Sequence, residues 1–433
     1  MSPNSNNWSE RIYFIANEAK DIYCLTPLAS LIDRKIYSLN SLSKSDIADI
    51  LFADKPIFVC ASHIALIFLE AIRPRDSFIA VGIEHGLAPF KGYTFSERLL
   101  DYNVYCAPTE AWAERLRKLY PGKANRVVTT GYPRLETLKA LREIIRNAEY
   151  SNNDEYQSSD STENRNILVV LSWGVHPDSL KKLPDLPNIV YLAHPADSHL
   201  TGAVNFEKSR LLISSPAIAS RLLARADIVY GDFSSMTIES EVLGLPVKMF
   251  LCRDLYKSDC DLGNSFFEPS AENYAKAPHH TGQIDERNVI GDLPSLIDSL
   301  TKSATDKKDN EKVRIFPKDF SPPMESAVKL CVAVLNNLAV KIETGAHHLT
   351  TVSVDETRNI SVALEFLISA YHTILGRAPD GNGIRTYMND FRASKDPGPL
   401  WSLKVLREFA YSKEGQNRWQ DSPKRLTTVH FLN

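Results

Sequence analysis

Paired cysteines are missing from this chain. Cys24, Cys60, Cys106, Cys252, Cys260 and Cys331 are scattered without a single C-x-x-C spacing, and three of them stand in apolar, strand-like runs. That distribution argues against a zinc site and a disulfide framework and leaves buried free thiols in a reducing compartment. Long hydrophobic runs are missing too. The nearest to the ~18 apolar residues of a membrane span is 57–72, broken by Ser62, His63 and Glu70, which reads as a strand running into a buried helix. Excess positive charge is absent: a formal net charge of −3 gives no basic face for nucleic acid. Residues 1–10 lack the basic-then-apolar order of a secretory signal, so a cytoplasmic location is expected.

What is present is ordinary for a globular chain: 43% hydrophobic and 24% charged residues over 433 positions, enough for about two or three domains. Short apolar runs at 11–16, 56–60, 77–82, 103–106 and 126–130 alternate with helical patterns such as 63–72 and 109–120. The alternation predicts a parallel sheet covered by helices on both faces. It resumes at 166–171, 188–193, 210–213 and 228–230 after a polar, acidic stretch, 151–165, that reads as a flexible linker. The fold class is therefore α/β, with two Rossmann-like, doubly wound domains at 1–150 and 166–345 and the cleft between them as the expected site. Residues 255–310 carry few clear periods and read as loops and short helices. Amphipathic patterns at 361–375, 383–391 and 400–411 predict a small all-helical domain over 355–425.

The densest stretch of chemistry is 226–250. A buried strand at 228–230 breaks at Gly231-Asp232, Ser234 or Ser235 caps a short helix that Gly244 and Pro246 end, and a second strand follows. Ser235 and Glu239 are four apart and share a helix face. A helix N-terminus offers free N–H groups to a phosphate, serine hydroxyls add donors, and a carboxylate one turn on can accept from ribose hydroxyls. The alternative is that the serines only cap the helix and the glutamate is solvated.

Two further polar groups stand at corresponding strand ends: Glu84-His85-Gly86 after 78–83 and His194-Pro195 after 189–193. Doubly wound sheets bind ligands at the carboxyl ends of their strands. An imidazole can take a proton from an acceptor hydroxyl, and another hydrogen-bond donor can steady charge on a leaving phosphate. Ser172-Trp173-Gly174, after the first strand of the second half, is positioned to supply backbone N–H groups to the same leaving group. His279-His280 and His347-His348 are adjacent pairs, not the i, i+4 spacing of a metal site, and read as solvated loop residues.

The order of these motifs over about 78–256 resembles the CDP-glycerol glycerophosphotransferase family, transferases of GT-B fold that build teichoic-acid-like and capsule-like polymers. The resemblance rests on His85-Gly86 with Pro89 and Lys91, on Gly131-Tyr132-Pro133-Arg134, on His194-Pro195, and on Asp232-Phe233-Ser234-Ser235 with Glu239 and Pro246. It implies His85 as catalytic base and His194-Pro195, Ser234 and Ser235 as holding the nucleotide phosphates; the strand-end reading adds Glu84 and His194 to the catalytic candidates and Asp232, Glu239, Ser172 and Gly174 to the donor side. Gly86, Lys91 and Arg134 fall on the acceptor side. It also implies a cytidine-nucleotide donor, a glycan or glycolipid acceptor, no cofactor and no metal, with peripheral contact at the cytoplasmic face of the inner membrane left open. Where the family reads His-Gly-Thr-Pro, this chain has His85-Gly86-Leu87-Ala88-Pro89.

Bacterial GT-B sialyltransferases supply the runner-up. They pair an acidic motif before a glycine with His-Pro and Ser-Ser, as in Glu84-His85-Gly86, His194-Pro195 and Ser234-Ser235, and take a CMP-sugar. A third alternative is a nucleotide-binding scaffold that keeps the fold without turnover. The tail, Ala370-Tyr371-His372 through Leu375-Gly376-Arg377, Asp380 and Gly383, then Glu408-Phe409, Ser412 and Glu414, is similar to an uncharacterised helical module of bacterial surface-polysaccharide and secreted proteins. Acceptor docking and a structural cap are both open for it. Arg115, Arg117, Lys118, Lys123 and Arg126 on an expected helix at 114–126 form either a lipid-facing surface or a solvated face.

Overall fold

The computed structural model describes residues 8–88, 94–153, 165–257, 289–305, 326–377, 379–394 and 399–419. The first sheet holds β1 (Ile12–Ala16), β2 (Ile36–Ser38), β3 (Ile57–Cys60), β4 (Ile79–Ile83), β5 (Val104–Ala107) and β6 (Val127–Thr129), in the order β2-β1-β3-β4-β5-β6. The pairings from β2 through β5 are parallel. All four residues of β3 are wholly inaccessible. A parallel strand covered by helices on both faces has no solvated side, which is why such strands read as continuous apolar runs.

The second sheet holds β7 (Ile167–Val170), β8 (Ile189–Ala193), β9 (Arg210–Ile213), β10 (Ile228–Gly231), β11 (Val247–Phe250) and β12 (Val289–Ile290), in the order β12-β11-β10-β7-β8-β9, all parallel. Its order reverses between β7 and β10, and that of the first sheet between β1 and β3. These are the switch points beside which open α/β sheets take ligands. The helices start where short polar side chains can bond the open N–H groups of a first turn. Ser43, Ser62, Thr109, Ser215, Ser234, Ser353 and Asp380 each accept from a backbone N–H three residues on.

The residues cluster into two compact units, Met1–His85 with Leu100–Cys106 and Lys329–Asn433, and Gly86–Leu99 with Ala107–Val328. In the second unit, the long helix Pro133–Asn153 is fastened to the helix Pro216–Arg225. Arg142 Nη1 donates to the carbonyls of Leu223, Ala224 and Ala226 at 3.2, 3.1 and 3.0 Å, satisfying the open acceptors of that helix end. In the first unit, the helices Val354–Ala370, Gly381–Ala393, Pro399–Tyr411 and Lys413–Trp419 enclose rings of their own, with Tyr371 against Phe409 at 4.6 Å and Phe391 against Trp401 at 5.0 Å.

Several local expectations change. The helix expected over 114–126 is Glu110–Leu119, followed by a 3-10 turn Pro121–Arg126, because Pro121 pushes Tyr120 to φ −132° and ends the helix. Within 255–310 a 13-residue helix, Leu293–Thr305, buries Leu293, Leu296 and Leu300 among polar neighbours. The edge strands β2 and β12, three and two residues long, are too short to show a pattern. Of the expected linker, 151–153 is the end of the helix Pro133–Asn153 and 154–164 lies outside the described residues, as do Pro89, Lys91, Cys260, His279 and His280. The other five cysteines are buried free thiols. No helix among the described residues is long and apolar enough to cross a membrane.

Candidate active site

The β7/β10 switch point is tied together by one carboxylate. Asp232 is wholly buried, and its Oδ2 accepts from the Ser172 N–H at 2.6 Å and the Tyr256 hydroxyl at 2.7 Å. Its Oδ1 accepts from the Ser172 hydroxyl and the Ser234 N–H, both at 2.9 Å. A second buried carboxylate, Asp197, accepts from the N–H groups of Gly174 and Val175 at 2.7 and 3.2 Å. The expectation that Ser172 and Gly174 offer N–H groups to a leaving phosphate is therefore corrected: both are donated to buried carboxylates, which need such bonds to remain buried. Asp232 likewise shapes the strand ends instead of facing a ligand.

This clasp sets the start of the helix Ser235–Val242. Ser234 caps it, its side chain accepting from the Thr237 N–H at 3.4 Å, and Ser235 follows half-buried at the first helical position. Gly231 lets the helix lie on the strand, since a Cβ there would fall 2.1 Å from Thr237 Oγ1. Gly86 also lies close: a Cβ on it would stand 2.6 Å from Ser235 Oγ. So Gly86, expected on the acceptor side, meets the serine expected to hold phosphate.

Glu239 does share a helix with Ser235, but it is only 1% exposed. Its Oε1 accepts from the Tyr132 hydroxyl at 3.1 Å, and Arg134 Nη2 stands 3.6 Å from Oε2, an ion pair too long for a hydrogen bond. Burial pushes this carboxyl up, while Arg134 and the Tyr132 hydroxyl pull against it. Arg134 thus partners the helix that carries Ser235, which differs from the acceptor-side place expected of it. The Gly131-Tyr132-Pro133-Arg134 motif is explained by this buried contact.

His194 is exposed at the end of β8, beside Pro195. Its Nδ1 accepts from the Ala196 N–H at 3.2 Å, so the neutral ring carries its proton on Nε2 and presents an N–H there. At the end of β4 the arrangement is reversed. His85 Nδ1 lies 2.6 Å from the Ala61 carbonyl oxygen, which can only accept, so the proton is on Nδ1 and the neutral ring has its lone pair on Nε2. Glu84 steadies this end, with Oε1 accepting from the His85 N–H at 3.0 Å and Oε2 from the Tyr105 hydroxyl.

Nothing in the sequence marks Tyr256, Asp197, Tyr105 and Ala61 as partners of these groups, because each meets them only through the fold. Asp197, three residues after His194, was the one most open to detection. Of the five basic residues near 114–126, Arg115 lies over the Phe95 ring at 4.4 Å, Arg117 pairs with Glu110 at 2.6 Å and Lys123 with Glu97 at 3.1 Å. Those contacts favour a solvated, internally paired face over a lipid-facing one.

Two parallel six-stranded sheets with these switch points and a helical tail make a GT-B-like fold. Among solved structures, a variant of the wall teichoic acid polymerase TagF is similar with a TM-score of 0.50 and 13% identity, over 80% of this chain and 92% of that one. UDP-GlcNAc 2-epimerase from Neisseria meningitidis bound to UDP-GlcNAc gives a TM-score of 0.47 and 15% identity, over 75% and 99%. The corresponding epimerase of Methanocaldococcus jannaschii gives 0.42 and 13%, over 75% and 99%. Identities this low concern fold alone. No protein-family model and no curated protein matches the chain.

Proposed function

We propose that the chain is a transferase that moves an activated glycerol phosphate or sugar from a cytidine nucleotide to a hydroxyl of a cell-surface glycan. The observation that carries the reading is the pair of strand-end histidines held in opposite tautomers. His85 presents a lone pair on Nε2, suited to removing the proton of an attacking hydroxyl. His194 presents an N–H on Nε2, suited to a phosphate oxygen on which charge builds as the nucleotide leaves. With the Thr237 N–H bonded to Ser234, the N–H groups of Ser235 and Met236 and the Ser235 hydroxyl would hold that phosphate.

The GT-B-like fold, shared with a wall teichoic acid polymerase, fits this chemistry. The choice of cytidine rests on the resemblance of the motifs. Thermal shift against CDP-glycerol, CMP-sugars, UDP-sugars and GDP-sugars tests it, since a ligand at 100 times its Kd stabilises by about 2.7 kcal/mol. A shift with cytidine compounds, and release of CMP on adding an acceptor, is expected. A shift only with uridine or guanosine compounds would overturn the donor; binding without turnover under any acceptor would favour the scaffold.

A further inference from the structure

We infer that the C-terminal helices are a buttress of the first unit that holds the strand end bearing His85 in place, not a separately moving acceptor-binding appendage. The inference rests on the role proposed for His85. Four consecutive residues, 61–64, link the histidine to the C-terminal helices. The Ala61 carbonyl accepts from the His85 Nδ1–H at 2.6 Å. The Ser62 carbonyl accepts from the Tyr102 hydroxyl at 2.9 Å, and His63 Nε2 lies 3.0 Å from Asp101. Ile64, in the first turn of the helix His63–Ile72, meets the C-terminal helices: a Cβ on Gly381 would stand 2.6 Å from its Cγ2 and 3.0 Å from its carbonyl oxygen. Gly381 opens the helix Gly381–Ala393, so the two helices are in contact at their first turns, three residues from the carbonyl that fixes the histidine.

Other contacts join the C-terminal part of the chain to the same unit. Lys44 pairs with Glu365 at 3.2 Å, and the Thr350 N–H donates to the Asp76 carbonyl at 3.0 Å. Burial raises the Glu70 carboxyl, and among the charges pulling it down are Arg75 and, from the C-terminal helices, Arg385. The residues that made the tail recognisable are meanwhile spent inside it. Arg377 bonds Asp380 and Glu414 and lies over the Tyr371 ring at 5.0 Å, and Asp380 caps Gly383 at 2.7 Å. These contacts hold the module together from within.

The test uses the full chain with Gly381→Ala, and with Ile64→Ala added to make room for the new methyl group. Amide hydrogen exchange over 63–72 and the imidazole ¹⁵N signals of His85 need no turnover. We expect Gly381→Ala to speed exchange across 63–72 several-fold, to move the His85 signals, and to lower kcat several-fold with the nucleotide Kd unchanged. The added Ile64→Ala should recover part of each. Faster exchange confined to 381–393, with 63–72 and His85 unmoved, would overturn the buttress. Should the wild type show no turnover, the functional reading fails, and exchange and the His85 signals still decide this inference.

Discussion

His85 and His194 occupy corresponding places, one at the end of β4 and the other at the end of β8, yet the backbone around them puts their protons on opposite nitrogens. A carbonyl beside Nδ1 makes the first ring a base at Nε2, and an N–H beside Nδ1 makes the second a donor at Nε2. Residue type and position on the sheet do not separate the two. The separation comes from one backbone atom each, Ala61 O and Ala196 N, and the proposed function gives proton removal to one histidine and charge stabilisation to the other.

His85→Ala should have the largest effect. Loss of a general base should lower kcat by about 10²–10⁴ while nucleotide affinity, followed by titration calorimetry, stays near the wild-type value. His194→Ala should act differently, with a loss of about 10²–10³ in turnover accompanied by weaker nucleotide binding, because its N–H is assigned to the phosphate. If the two variants give the same division between kcat and Kd, the assignment of distinct roles is wrong. Ser235→Ala sharpens the His194 side: losing a hydroxyl bond to a charged phosphate should weaken nucleotide binding by roughly 1–3 kcal/mol, and equal titration curves would contradict it.

Glu84→Gln is the smallest expected effect and sharpens the His85 side. The amide still accepts from the His85 N–H, so turnover should fall less than about tenfold, as for a neutral bond replacing a charge-assisted one. Abolished turnover here, with His85→Ala retaining most activity, would move the base to the carboxylate and favour the sialyltransferase-like alternative.

Both sheets were legible in the sequence because parallel strands covered on two faces cannot alternate; the runs at 57–60 and 167–170 are apolar throughout and end at polar groups. For the same reason His85, His194 and Ser235 could be found as strand-end residues. Their surroundings could not. Nothing in Ser172-Trp173-Gly174 says that its N–H groups are taken by Asp232 and Asp197, since those partners come from other strand ends. Glu239 reads as a solvated or ribose-facing carboxylate until Tyr132 and Arg134 are seen beside it. The contact of Gly381 with Ile64 joins distant parts of the chain, and a glycine in a helical pattern gives no sign of what covers it.

The tautomers of the two rings can be observed in solution. Protein labelled with ¹⁵N at histidine, with His85→Gln and His194→Gln used to assign the signals, can be followed by long-range ¹H–¹⁵N correlation at a pH where both rings are neutral. The structure predicts that His85 carries its proton on Nδ1 and His194 on Nε2. Both rings in the same tautomer would contradict the division of labour drawn from their backbone partners.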